Sequence, residues 1–168
     1  SDTVRQLNEV RVTGYVQNRP LLETGASVGL LNSRDLQQRN PLPTPVAAFN
    51  TLPGVRVEER SPGSYRFVIR GSLLRAPFGV RNVKVYWQGL PLTDAGGNTP
   101  LNAFDVRLIG RTEVLKGPAG SLYGANTGGA VLLSGPTVPG GGGRAEVSAL
   151  AGSYGLFGSS VLLQTGQD

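Results

Sequence analysis

The sequence contains no histidine, no cysteine and no methionine. These absences exclude Ser-His-Asp and Cys-His catalysis, Cys/His zinc sites, disulfides and the ordinary histidine base. No apolar run approaches the roughly 20 residues that a membrane-spanning helix needs. The N-terminus lacks the charged and apolar regions of a signal peptide, so we expect a mature or trimmed product. Few routes to enzyme chemistry remain.

Basic residues outnumber acidic ones by 16 to 11, which gives a net charge of +5. They are spread from Arg5 to Arg144, and no run of them is interleaved with aromatic residues, so we expect no nucleic-acid partner. Almost all of the basic residues are arginines, which suit bidentate pairing with carboxylates in partly buried places. A hydrated interface with an acidic partner and a solvated basic surface both fit this bias.

Glycine and proline are abundant, with 25 and 12 residues respectively. This composition favours short elements between tight turns, so the predicted fold class is α+β, a small mixed β-sheet with short helices and long loops. Capping residues, followed in two cases by proline at the first helical position, indicate short helices. The predicted helices cover residues 33–36, 46–52 and 101–109.

Alternating apolar residues predict the strands. In the run that contains Tyr65, Phe67 and Ile69, these three side chains share one face, which we expect to be buried. The predicted strands cover residues 7–14, 55–59, 65–70, 83–87, 90–92, 112–116 and 129–134. Residues 60–64 (RSPGS) form the predicted turn of a hairpin.

The last part of the chain has a different pattern. Residues 144–152 and 156–166 are alternating segments of about ten residues, the length and spacing of a membrane-barrel hairpin. A solvent-facing hairpin alternates in the same way. We expect this hairpin to begin a transmembrane β-barrel.

Four short segments, in this order, carry a family resemblance: residues 51–55 (TLPGV), 68–71 (VIRG), 85–90 (VYWQGL) and 112–123 (TEVLKGPAGSLY). They resemble the plug domain of TonB-dependent outer-membrane receptors. The family usually has Asp-Gly where this chain has Gln88-Gly89, and Gly-Gly-Val-Ile-Asn where residues 128–132 read GGAVL. The resemblance implies an N-terminal extension over residues 1–14, a plug domain over 15–139 and the start of the barrel over 140–168.

The resemblance also implies a function. Such a plug closes a barrel of about 22 strands in the outer membrane of a Gram-negative bacterium, with its N-terminus in the periplasm. It gates uptake of a scarce nutrient such as a ferric siderophore, with energy delivered through TonB. No cofactor and no enzymatic activity are implied. The expected partners are the TonB periplasmic domain, the barrel of the same receptor and a small ligand such as an iron complex.

The N-terminal strand resembles a TonB box, the segment that pairs with a strand of TonB by strand addition. The residues predicted to bind TonB are Glu9, Val10, Arg11, Val12 and Thr13. The alternative is an ordinary first strand of the plug sheet.

Two cations, Arg70 and Lys116, fall where the family places residues that pair with acidic groups of the barrel wall. The alternative is that both face solvent. We assign Glu113 a structural role, either paired with a neighbouring cation or exposed. Ligand contacts are expected from loops at the extracellular end, through Arg60, Tyr65 and Asp94, although turn formation explains part of the same pattern.

Two other classes of function remain as alternatives. A free-standing periplasmic plug-like module for binding or signalling would have no functional barrel. An enzyme would need a carboxylate or serine mechanism without histidine or cysteine, and Glu58 and Glu59 point to opposite faces of one strand. No metal site is expected.

Overall fold

The structure is a computed structural model. It describes residues 10–14, 19–20, 27–38, 44–71, 83–97, 99–103, 105–117, 120–124, 128–138 and 142–166. The chain forms two compact units, Ser1–Ser134 and Gly135–Asp168, which are described separately. Over the described ranges, none of the helices has the length and hydropathy that crossing a membrane requires.

Short strands and helices make up the first unit. The strands are β1 Arg11–Val12, β2 Arg19–Pro20, β3 Val28–Asn32, β4 Val55–Ser61, β5 Ser64–Ile69, β6 Val83–Trp87, β7 Leu90–Pro91, β8 Arg111–Lys116 and β9 Gly129–Ser134. The helices are α1 Ser33–Gln38, α2 Val46–Phe49 and α3 Gly120–Tyr123. The predicted α+β class is confirmed.

A five-stranded mixed sheet in the order β3-β8-β9-β6-β7 is the centre of this unit. Strands β6 and β9 run parallel, and every other neighbouring pair in the sheet is antiparallel. Strand β9 is buried on both faces, as its continuous apolar run predicts. Strand β8 is hydrogen-bonded to β3 on one side and to β9 on the other.

The hairpin of β4 and β5 packs against α2 and contributes to the same apolar core. The rings of Phe49 and Phe67 meet edge to face, with 5.0 Å between centroids. Asn50 follows α2, and its amide accepts a hydrogen bond from the Val57 N–H and donates one to the Val57 carbonyl, at 2.7 and 3.0 Å. This side chain therefore joins α2 to the exposed edge of the hairpin.

The predicted helix over residues 101–109 is wrong. The structure has two 3₁₀ turns instead, Leu101–Ala103 and Val106–Leu108. Asp105 separates them in an extended conformation, and its side chain accepts a hydrogen bond from the Arg107 N–H. Short acidic side chains compete in this way with regular helical hydrogen bonds.

The predicted turn over residues 60–64 is too long. Strand β4 continues through Ser61, which places Arg60 within the strand, and Pro62 and Gly63 form the turn. The carboxylate of Glu59 accepts a hydrogen bond from the Gly63 N–H at 2.9 Å. This contact tightens the turn.

The second unit contains an antiparallel hairpin of β10 Gly143–Ala151 and β11 Phe157–Thr165. On one face Ala145 pairs with Leu163 and Val147 with Val161. Val147, Val161 and Leu163 are 66–76% exposed. The opposite face is more polar: Ser148 and Ser160 share a hydrogen bond of 2.6 Å. The alternation predicted for these segments is confirmed.

Gly129 allows the closest backbone approach in the sheet. Its φ is +136°, and a Cβ added there would collide with the Leu115 carbonyl oxygen on β8. Gly71, with φ +73°, has no atom within 4 Å of the corresponding position. Gly129 therefore combines an unfavourable backbone conformation with a clash against a backbone atom, whereas Gly71 has only the former.

Gly129→Ala should destabilise the chain more than Gly71→Ala. The change at Gly71 introduces only the strain of a positive φ, about 1 to 2 kcal/mol, whereas Gly129 adds an overpacking cost of about 1 to 3 kcal/mol. Urea unfolding followed by circular dichroism measures both free energies. Equal losses would show that β8 and β9 separate without cost at this point.

Candidate functional site

The predicted TonB-binding strand is only partly within the described residues, because Glu9 lies outside them. Val10 is 51% exposed, while Val12 on β1 is fully buried. Strand β1 pairs antiparallel with β2 through two residue pairs, Arg11 with Pro20 and Val12 with Arg19. The segment is therefore held against the plug, and its pairing with β2 extends over two residue pairs among the described residues.

The carboxylate of Glu113 holds the residues that follow β1. Its side chain is 2% exposed. It accepts hydrogen bonds from the Thr13 N–H at 3.0 and 3.1 Å, from the Thr13 hydroxyl at 2.9 Å and from the Gly14 N–H at 2.8 Å. A buried carboxylate needs such donors, since an unpaired one is strongly disfavoured.

Arg111 completes this arrangement on the same strand. Its guanidinium pairs with Glu113, with the Nε and Nη2 atoms at 3.0 and 2.9 Å from Oε1. The Nη2 atom also donates to the Arg11 carbonyl. We refer to Thr13, Gly14, Arg111 and Glu113 together as the Glu113 clamp.

Close packing supports the clamp at Gly14. This residue is buried, and a Cβ added to it would lie 2.7 Å from Leu115 Cδ2. A side chain at this position would require either the Leu115 side chain or the segment itself to shift. Glycine therefore lets the backbone reach the carboxylate.

Glu113 is the functional candidate whose placement the sequence did not predict. Pairing with a neighbouring cation is confirmed through Arg111, but the side chain is buried and also binds a segment about 100 residues earlier in the chain. The available signal was an acidic residue inside a strand, directly followed by the apolar pair Val114 and Leu115. That pattern predicts a buried charge with local partners, yet it does not identify the distant donors.

Thr13 and Glu113 of the clamp also line a cavity of about 430 Å³. Tyr86 and Tyr123 line another part of it, with the Tyr86 hydroxyl donating to the Tyr123 carbonyl at 3.1 Å. Because Thr13 belongs to the wall, removal of the N-terminal segment would open this cavity.

The structure brings the predicted cations Arg70 and Lys116 close together. Arg70 is exposed, with φ +51°, and its guanidinium lies beside Gly117. Burial lowers the pKa of Lys116 from its ordinary value, and the nearby charge of Arg70 lowers it further. Among the residues that the structure describes, neither cation forms an ion pair. Two like charges are thus held together near the end of β8.

All three residues predicted to contact ligand lie within the described part of the chain. Arg60 is exposed on β4, Tyr65 is half-buried against the core, and Asp94 is exposed in the loop after β7. The two loops do approach a common segment. The turn at Gly63 lies against Asn102, and the hydroxyls of Thr93 and Thr99 are 2.7 Å apart at the base of the other loop.

Among the described residues, no group of three or more His, Cys, Asp or Glu side chains is placed to hold a metal ion. The arrangement offers backbone pairing at β1, a buried carboxylate clamp and a cationic pair. The backbone pairing and the clamp suit a docked peptide segment, and the cationic pair suits a charged partner surface.

Comparison with known families identifies the class of protein. The family model described as TonB-dependent Receptor Plug Domain matches residues 20–131, more than half of the 168 residues. The chain belongs to the TonB-dependent receptor plug domains, and the resemblance inferred from its motifs is confirmed.

Relatives of known function are transporters and receptors. The Vitamin B12 transporter BtuB of Vibrio vulnificus strain CMCP6 is 25% identical over 123 residues, which are 73% of this chain and 20% of the transporter. The present chain therefore spans about a fifth of that relative's length.

Solved structures share the fold. The ferripyoverdine receptor of the Pseudomonas aeruginosa outer membrane matches with a TM-score of 0.68 and 21% identity, over 90% of this chain and 19% of the receptor. The copper transporter OprC matches with a TM-score of 0.63 and 24% identity, over 85% of this chain and 22% of OprC.

Lys116→Gln should stabilise the chain slightly at pH 7. The depressed pKa means that protonation of Lys116 disfavours the folded state, fully so below the folded pKa and not at all above the ordinary lysine value of about 10.4. Solvent screening limits the gain to about 1 kcal/mol or less. Urea unfolding at pH 7 and above pH ~10.4 measures it, with Lys84→Gln as the matched control. Destabilisation by Lys116→Gln at pH 7 would contradict the assignment.

Proposed function

We propose that this chain is the plug of a TonB-dependent transporter in the outer membrane of a Gram-negative bacterium, gating energy-coupled uptake of a scarce nutrient such as a ferric siderophore. The match to the plug family over residues 20–131 carries the proposal. The known relatives support a transport role: one is a vitamin B12 transporter and another is a ferripyoverdine receptor of an outer membrane.

TonB engages the N-terminal segment by adding a strand. Strand addition supplies affinity through main-chain hydrogen bonds, and Val10 is accessible at the entrance to β1. Among the described residues, β1 and β2 share two residue pairs. A partner strand therefore has little existing pairing to displace.

Val10→Pro should weaken capture of the intact receptor by the TonB periplasmic domain. Proline removes a backbone donor and restricts the preceding residue, so a strand ladder loses a hydrogen bond. A pull-down with purified TonB periplasmic domain measures the difference. Val10→Ala, which keeps the backbone donor, is the control, and equal capture of both variants would refute strand addition at this segment.

The hairpin of β10 and β11 is proposed to begin the barrel wall. It presents a largely apolar face that includes Val147, Phe157, Val161 and Leu163, with Ser159 opposite Ala149 on the same face, which suits contact with lipid. Its other face carries Glu146, paired with Arg144 at 2.6 Å. This pattern favours a barrel over the alternative of a free-standing periplasmic module, which would expose the apolar face to water.

Arg70 and Lys116 are proposed to pair with carboxylates of the inner barrel wall. Their mutual repulsion and the desolvation of Lys116 disfavour the charged pair within the plug alone. Acidic partners on the wall would offset both effects. The barrel thus stabilises a surface that is electrostatically incomplete in the plug.

Arg70→Ala should loosen the plug in the intact receptor. Loss of one partner leaves the opposing charge of a partly buried pair without compensation. The urea concentration at which trypsin begins to cleave the plug in membrane vesicles measures retention. Arg56→Ala, which removes an arginine whose partner is Glu58 on the same strand, is the control, and equal protection of wild type and Arg70→Ala would contradict the pairing.

Ligand recognition is proposed to involve Arg60, Tyr65 and Asp94 at the extracellular end of the plug. Support comes from the approach of both loops to residues 99–102. These side chains supply one cation, one phenol and one carboxylate, which suit a polar ligand.

A further inference from the structure

We propose that the Glu113 clamp is the anchor through which a pull on the N-terminal strand reaches the central sheet of the plug. Glu113 would then be a positioning residue for energy coupling. It fixes the boundary between the segment that TonB takes and the part of the plug that is moved. The inference rests on the proposed function, because it assumes that TonB engages the predicted segment through the residues before Thr13, while Thr13 itself stays bound to Glu113.

The clamp binds the chain directly after β1. Thr13 and Gly14 are the first residues after β1, and both of their N–H groups point to the same carboxylate. Any tension that passes through β1 meets these two residues next. The carboxylate belongs to β8, which is hydrogen-bonded to β3 on one side and β9 on the other.

The strength of the contact supports the same assignment. Hydrogen bonds to an ionised acceptor are stronger than neutral ones, and the acceptor side chain itself is buried, since Glu113 is 2% exposed. Arg111 adds a bridge, since it binds both the carboxylate and the Arg11 carbonyl. By contrast, β1 is held to β2 by two residue pairs.

The recognition of backbone groups supports it as well. Most of the clamp contacts reach the N-terminal segment through main-chain atoms of Arg11, Thr13 and Gly14, with the Thr13 hydroxyl as the exception. These contacts do not involve the side chain of Val10, which precedes β1 and is 51% exposed. The clamp therefore holds the segment without using the Val10 side chain.

The experiment uses the intact receptor in lipid bilayers, with a single cysteine introduced at Val10 and a nitroxide attached to it. The chain has no cysteine of its own. Glu113→Gln keeps the shape of the side chain and removes its charge. We expect the equilibrium between docked and released segment to shift about tenfold to a hundredfold toward release, the size expected for loss of hydrogen bonds to a charged acceptor. The mobile fraction of the nitroxide spectrum measures this shift.

A pulling measurement tests the role in force transmission. The TonB periplasmic domain is fixed to the probe, and the force of the first detachment event is recorded on receptors without the label. We expect this force to fall in Glu113→Gln, and to fall less in Thr13→Val, which removes one hydroxyl donor. Glu58→Gln, which removes a carboxylate paired with Arg56 on β4, should leave it unchanged. Equal forces for wild type and Glu113→Gln would overturn the proposal.

A purely structural role for Glu113 predicts another result. In that case amide exchange in β9 would accelerate in Glu113→Gln as much as exchange in residues 10–14. We expect faster exchange in residues 10–14 with β9 still protected, and equal acceleration would overturn the proposal.

Failure of the clamp hypothesis and failure of the proposed function give different experimental results. Capture of the wild-type receptor by TonB, together with unchanged nitroxide mobility in Glu113→Gln, would refute the clamp alone. Failure of TonB to capture the wild type would refute the proposed function, while the nitroxide spectrum would still report whether Glu113 holds the segment.

Discussion

Burial of the Glu113 carboxylate is the constraint on which the N-terminal half of the site depends. A charge this far from water must be surrounded by donors, and β8 supplies only Arg111. The remaining donors come from Thr13 and Gly14, so the sheet requires the N-terminal segment to complete it. The segment in turn owes its position to the sheet. The segment supplies donors to the Glu113 carboxylate, and the carboxylate accepts from the backbone N–H groups of the segment.

Strand β8 connects this clamp to the cationic pair. Glu113 lies near its middle, and Lys116 is its last residue, followed by Gly117 beside the Arg70 guanidinium. The neighbouring strand β9 can approach because Gly129 has no side chain. A single short strand therefore carries the contact with the N-terminal segment and the surface proposed to face the barrel. Movement of β8 would affect both.

Local patterns in the sequence were sufficient for most of the fold. Alternation predicted the hairpins, and the apolar run of β9 predicted burial on both faces. The helix predicted over residues 101–109 failed because Asp105 satisfies the backbone with its own side chain, a choice that periodicity does not reveal. The clamp was missed for a different reason. Its donors at Thr13 and Gly14 are backbone groups, and backbone groups leave no residue-type signature in a distant part of the chain.

The open end of the β1–β2 hairpin lies at the Arg11–Pro20 pair, where the chain enters β1. Tension applied to the residues before β1 would separate the two residue pairs one after the other. The bonds to Glu113 behave differently, because donors from two adjacent residues converge on one carboxylate and share the load. In the proposed coupling, the two β1–β2 pairs carry the load before the bonds to Thr13 and Gly14 do. Capture of the strand would then precede disturbance of the sheet.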